Sequence, residues 1–218
     1  MLKEGNEYRM WFNGGHDAGF RVGYATSPDG VVWTKYAGNP VLTAGPAGSW
    51  DEYHAGEPHL VYEQGLYKLW YMGKRFGDWL TTPEDMGYAT STDGITWTKH
   101  PGNPVMRADP NSWEWPSVTN GHVLREAGQY HMWYTAGPWP KEIGYATSSD
   151  GVVWSKYAGN PVLSTASPSG WLQPVVRFAA GSANSVLDGF TVRNGDAEAG
   201  TGITIEATPV TVRDCITR

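Results

Sequence analysis

Side chains able to do chemistry concentrate in two corresponding stretches. Residues 49–59 read Ser-Trp-Asp-Glu-Tyr-His-Ala-Gly-Glu-Pro-His, and residues 112–122 read Ser-Trp-Glu-Trp-Pro-Ser-Val-Thr-Asn-Gly-His. A carboxyl group in a cleft can protonate a leaving oxygen while a second one acts as base or nucleophile. Glu57 is the leading candidate for the acid. It stands directly before Pro58, and the residue in register with it in the second stretch is Asn120. A carboxylate present in one copy only is what a functional requirement leaves behind. Asp51 and Glu114 both follow Ser-Trp, and that repetition favours a structural task such as capping a loop; Asp51 is kept as a second catalytic candidate. His54, His59 and His122 belong to the same rim, where an imidazole can bond a hydroxyl or hold a carboxylate. Arg75 and the pair His16-Asp17 lie in neighbouring loops, as do Trp79, Trp115 and Trp139, whose indoles can cover a flat ligand face.

What positions these residues is a phrase stated three times. GYATSPDGVVWTK (23–35), GYATSTDGITWTK (87–99) and GYATSSDGVVWSK (144–156) are each followed by Gly-Asn-Pro-Val and each preceded by an aromatic strand, beginning at Tyr8, Tyr67 and Tyr130. The middle of the phrase is a turn, because Asp can bond its own backbone and Gly takes positive φ. One full unit reads as four strands: HLVYE, YKLWYM, MGYATS and ITWTK. Four antiparallel strands in about sixty residues match a propeller blade. Two units are complete. The first is expected to lack its innermost strand, and a fourth to offer only residues 173–178. The recurring Asp29, Asp93 and Asp150, and the recurring Trp residues, are therefore scaffold.

After Phe178 the phrase vanishes. Short β-branched runs separated by Gly, Asn and Asp take over. They read as stacked coils of a solenoid, or as a short meander capping an open edge. The fold class is all-β: a partial β-propeller over residues 1–178, with two complete and two partial blades, then a β-solenoid-like segment over 179–218.

Composition sets outer limits. Twelve Trp, 12 Tyr, 28 Gly and 15 Pro suit short strands and tight turns. A net charge of −6 argues against nucleic acid or an anionic membrane as partner. No run is long and apolar enough for a membrane span, and no apolar signal segment is seen. The single cysteine, Cys215, excludes an internal disulfide and a cysteine-based zinc cluster. No phosphate-binding loop, His-Glu-x-x-His helix or nucleophile elbow is present.

The blade pattern resembles the five-bladed β-propeller glycoside hydrolases, namely family 43, family 32 and the similar mannoside-active propellers. The tail resembles the right-handed parallel β-helix of pectate lyase-like proteins, through LDGFTVRNG and the following GITI. The turn is also similar to the sialidase Asp-box, but is one residue shorter between Asp and Trp. The propeller resemblance implies a poly- or oligosaccharide substrate, an acid role for Glu57, and sugar contacts from His54, His59, Arg75, Trp115, Asn120 and His122. The family places its acid in a Glu-Gly-Pro order, whereas this chain has Gly-Glu-Pro. The family's base usually comes from the first blade's inner strand, which is not evident here. No cofactor is implied, a structural Ca²⁺ being left open. The substrate class implies a secreted or periplasmic site of action. A non-catalytic carbohydrate-binding propeller and a truncated or chimeric reading frame are the rival readings. Missing blades would come from a longer chain or from oligomerisation.

Overall fold

The computed structural model describes residues 1–16, 19–139 and 141–164, with side chains except that of His16, and the backbone of six short strands between 176 and 217. It divides into two compact units, Met1–Val162 and Leu163–Arg218.

The first unit is three consecutive four-stranded antiparallel blades, and no helix occurs among the described residues. Blade 1 holds β1 (Leu2–Glu4), β2 (Glu7–His16), β3 (Gly19–Ser27) and β4 (Thr34–Lys35). Blade 2 holds β5 (His54–Glu63), β6 (Leu66–Lys74), β7 (Glu84–Ser91) and β8 (Thr98–Lys99). Blade 3 holds β9 (Val118–Glu126), β10 (Gln129–Ala136), β11 (Glu142–Ser148) and β12 (Ser155–Lys156). Blade 1 thus has an inner strand after all. Gly5 at φ +58° turns the chain so that Leu2, Lys3 and Glu4 pair with Arg9, Tyr8 and Glu7. Three residues are too few to show alternation in sequence.

The repeated phrase builds a turn that also joins blades. Asp29 Oδ1 accepts the N–H groups of Val31 and Val32 at 2.8 Å each, and Asp93 and Asp150 repeat the arrangement. These backbone donors hold all three carboxyls below the usual carboxylate range. Each turn presents a glycine carbonyl outward. Trp11 Nε1 of blade 1 donates to Gly94 O of blade 2 at 2.6 Å, and Trp70 Nε1 of blade 2 donates to Gly151 O of blade 3 at 2.8 Å. The indoles are 6% and 1% exposed, whereas the counterpart on blade 3, Trp133, is 38% exposed. Glu63 adds a second joint, accepting from Lys68 of its own blade and from Tyr130 and Arg125 of blade 3. The exit asparagines finish each blade: Asn39 Oδ1 accepts Tyr24 N–H and its Nδ2 donates to Tyr24 O, as Asn103 and Asn160 do with Tyr88 and Tyr145.

In the second unit the strands β13 (Val176–Phe178), β14 (Ser185–Asp188) and β15 (Thr191–Val192) pair in parallel with β16 (Ile203–Ile205), β17 (Val210–Arg213) and β18 (Ile216–Thr217). Parallel pairing of successive segments is the solenoid arrangement rather than an antiparallel meander. Residues 176–178, expected in a fourth blade, pair with Ile203–Ile205, and the compact units divide after Val162. The rest of the expected fourth unit, residues 170–175, and Cys215 lie outside the described residues.

The indole bond between blades yields a direct test. Trp70→Phe is expected to cost about 1–2 kcal/mol in urea unfolding, for one lost bond and a leaner contact. Trp133→Phe, with no such bond among the described residues, is expected to cost under about 0.5 kcal/mol. Equal losses in the two variants would contradict the latch.

Candidate functional site

The loops entering blades 2 and 3 are each held by a buried carboxylate. Asp51, 2% exposed, accepts from Tyr71 OH at 3.0 Å, from Lys99 Nζ at 2.5 Å and from Ser49 Oγ at 3.0 Å. Glu114, 3% exposed, does the same in blade 3 with Tyr134 OH at 2.8 Å and with Lys156 Nζ. The preceding indoles pack beside the carboxylates: Trp50 lies 5.7 Å from Tyr71, and Trp113 is stacked 6.2 Å from Tyr134. Asp51, the second catalytic candidate, thus has its oxygens bonded within the blade and does not line the cleft described next.

Six residues on, β5 bulges. Its register against β6 slips between Gly56 and His59, and Glu57 sits at φ +52°. β9 bulges at the same place, with Asn120 at φ +50°. Asn tolerates the left-handed region, whereas a Glu there is strained by about 1 kcal/mol, which is a mark of functional positions. The Glu57 N–H donates to Asn13 Oδ1 of blade 1 at 3.1 Å. The bulges border a cleft of about 460 Å³ lined by Trp11, Asn13, Glu57, His59, Asn120 and His122. Among the described residues, Glu57 is the only carboxylate on its wall.

Glu57 Oε2 is buried without a hydrogen-bond partner. Burial first, then the negative charge of Glu84, pushes its carboxyl up to about 7, with Lys141 opposing. Glu84 and Lys141 form an ion pair at 3.6 Å between blades 2 and 3, and Lys141 also donates to Ser117 Oγ. His59 Nε2 donates to Val123 O at 3.0 Å, which puts its proton on that nitrogen, and its ring lies 4.4 Å from His122. Burial and then His122 lower its pKa to about 4, so it is neutral at pH 7. Among the described residues no group of three His, Cys, Asp or Glu side chains is placed to hold a metal ion.

The cleft thus gathers Glu57, His59, Asn120 and His122. It leaves out the other candidates. His54 is 3% exposed and accepts the Phe20 N–H on Nδ1 at 2.8 Å, a joint between blades 1 and 2 that fixes the neutral ring. Burial, Lys74 and Arg21 lower its pKa to about 4. Arg75 lines a separate pocket of about 280 Å³ with Trp50, Asp85 and Arg107. Trp115 packs against the core of blade 3 instead of forming an open wall. Asp17 and the His16 side chain lie outside the described residues. Trp79 and Trp139, at 53% and 76% exposure, do present indole to solvent. Sequence reasoning missed Asn13, Glu84 and Lys141. Asn13 was available to the rule that found Glu57, because the three copies disagree there: Asn13, Met72, Thr135.

No family model matches the chain. It is 26% identical over 160 residues to the uncharacterized protein Rv1502 of Mycobacterium tuberculosis, a match covering 72% of this chain and 51% of that one. The chain spans about half the length of the curated relatives it matches. Among solved structures it is similar to BT0996, in its complex with RGII, with TM-score 0.64 and 21% identity over 76% of this chain and 57% of that one. It is also similar to Zg3597, a family 117 glycoside hydrolase of Zobellia galactanivorans, with TM-score 0.64 and 16% identity over 74% and 55%. At these identities the likeness is one of fold. The first unit shares its architecture of four-stranded antiparallel propeller blades with these two structures.

Two outcomes follow from the geometry. Asp51→Asn is expected to lower stability by about 3 kcal/mol, the cost of unpairing Lys99 in a part-buried clamp, while leaving ligand binding in the cleft of the folded fraction intact. The second concerns pH. The raised Glu57 pKa adds stability that is complete below its ordinary value and is lost as pH rises through about 7. The lowered His54 and His59 values act oppositely, with stability complete above the ordinary histidine range and lost as pH falls toward about 4. Glu57→Gln should therefore unfold at higher denaturant than the parent at pH 8 and show little gain at pH 4.5. A gain independent of pH would contradict the assigned titration.

Proposed function

We propose that the chain is a glycoside hydrolase, or part of one, in which Glu57 is the general acid that protonates the leaving oxygen of a plant or microbial poly- or oligosaccharide. The observation that carries this reading is the state of one group. Glu57 is strained onto a bulge, faces the cleft, keeps one buried oxygen unpartnered, and holds its proton up to about pH 7. Glycosidic cleavage needs such an acid, because the leaving alkoxide is too basic to depart unprotonated. Hydrogen-bonding groups from three blades surround it: Asn13, His59, Asn120 and His122. The exposed Trp79 and Trp139 are suited to stack on sugar rings. The fold supports the reading, as its structural neighbours include glycoside hydrolases and BT0996 in a complex with RGII. Action on such polymers fits a secreted or periplasmic protein.

Bond cleavage also needs a base or nucleophile, and Glu57 is the sole carboxylate on the cleft wall among the described residues. That observation favours a second reading, a propeller that binds carbohydrate without turning it over. One set of measurements separates the two. In assays with aryl arabinofuranosides, xylosides, mannosides and fructans, the acid reading expects turnover that Glu57→Gln lowers by about 10²–10⁴-fold, least on the aryl glycosides with the most acidic leaving groups. The binding reading expects tryptophan fluorescence to change with glycan while no substrate is cleaved. Turnover unchanged in Glu57→Gln would falsify the acid assignment.

A further inference from the structure

Blade 2 carries two arginines that the other blades lack. Arg75 stands where the other copies have His16 and Pro138, and Arg107 where they have Thr43 and Ser164. Both line the pocket of about 280 Å³ that is separate from the Glu57 cleft, together with Trp50, Thr81, Thr82 and Asp85. Among the described residues Arg75 has no carboxylate within ion-pair distance, and Arg107, its side chain 65% exposed, has Asp85 at 3.6 Å, beyond hydrogen-bond reach. Acids of the surrounding loops are already bonded to backbone: Glu52 accepts the Phe76 N–H at 3.2 Å, and Asp78 the Leu80 N–H at 2.6 Å. The walls are fixed. Gly73 and Gly87 seat the Trp50 ring, since a Cβ on either would collide with it. The fully buried Lys74 donates to Asp78 O at 3.1 Å and to Thr82 O at 2.8 Å, which holds the loop above the pocket. Asp85 Oδ1 accepts the Ala108 N–H at 3.0 Å and leaves Oδ2 on the side of Arg107.

We propose that this pocket binds a hexuronate unit of an acidic polysaccharide, at a site separate from the Glu57 cleft. The saccharide class rests on the function proposed above; the carboxylate rests on the pocket alone. Two guanidinium groups without a hydrogen-bonded acid match a planar carboxylate, which each can hold through a forked pair of N–H donors. Trp50 offers an aromatic surface, and Thr81 and Thr82 offer hydroxyls, a mixture that suits a pyranose ring. The volume is small for a ligand pocket and fits one sugar unit rather than a run of them. Asp85 decides the charge. Its carboxylate can accept a ring hydroxyl, but it repels a dianion such as a phosphate monoester, so a singly charged acid is favoured. Because the walls are held in place beforehand, binding carries little ordering cost.

The test is isothermal titration calorimetry on the 218-residue chain. The probes are trimers of galacturonic acid and of mannuronic acid, each beside its methyl ester, and a sulfated galactose trimer. At least one free acid is expected to bind saturably, about tenfold or more tightly than its ester. Arg75→Gln and Arg107→Gln change exposed side chains and leave the fold intact. Each should weaken binding by about fivefold or more, while turnover of neutral aryl glycosides stays at the parent's level. Glu57→Gln should bind the acid as the parent does, so that failure of the general-acid assignment and failure of this pocket are read separately. Absence of saturable binding by both acids overturns the proposal. So does equal affinity for acid and ester, or binding that either arginine substitution leaves unchanged. A sulfated trimer bound as tightly as the uronate overturns the carboxylate assignment.

Discussion

A carboxylate buried against a lysine and a tyrosine sets the frame of blades 2 and 3. Burying Asp51 or Glu114 unpaired would cost several kcal/mol. Lys99 with Tyr71, and Lys156 with Tyr134, remove that cost and in doing so fix where the entering loop must stop. The net stabilisation of such a pair is modest, because desolvation offsets most of the Coulomb attraction. Its consequence is positional. The inner strand begins at a set distance beyond the clamp, and the bulge that carries Glu57 or Asn120 follows in the same register of both blades. Glu57 is placed by a side chain that does not itself line the cleft.

The same logic separates scaffold from site across the unit. Where copies agree, the residues join blades or close turns: Asp29, Asp93 and Asp150 gather backbone N–H groups, and Trp11 and Trp70 reach into the next turn. Where copies disagree on the cleft side, charge and polarity appear. One repeat position carries Phe20, Glu84 and Lys141, and the last two meet across a blade boundary at 3.6 Å beside Glu57. Their opposite pulls on the Glu57 carboxyl partly cancel, so that burial dominates and the group sits near neutrality. A site assembled from departures within a repeat leaves the shared packing undisturbed.

Much of this was legible in sequence because turns and blade register are local. The Asp-Gly turn, the aromatic strand and the Asn-Pro exit each have their signal within a few residues, and the contrast of Glu57 with Asn120 needed only alignment of the copies. What stayed hidden depends on burial by distant segments. Asp51 and Glu57 look alike as loop acids, yet one faces Lys99, 48 residues away, and the other an open cleft. Trp115 and Trp139 look alike as loop indoles, yet one packs on the core and one is 76% exposed. Residues 176–178 alternate as well for a blade as for a coil, and their parallel partner at Ile203–Ile205 lies 27 residues on, beyond any local signal. Leu2–Glu4 was too short to carry any period.

The two clefts of blade 1 share a strand. Asn13 and Gly14 are neighbours on β2, so they face opposite sides of the sheet. Asn13 borders the cleft of Glu57 and accepts its N–H, while Gly14 borders a second pocket of about 290 Å³. Packing an indole against Gly14 therefore presses on the strand that orders the Glu57 bulge from the other side. In blade 2 that pressure is built in, because Trp50 backs Gly73 next to Met72, the counterpart of Asn13. The placing of Glu57 depends on Asn13, which stands on a strand that no such indole backs among the described residues.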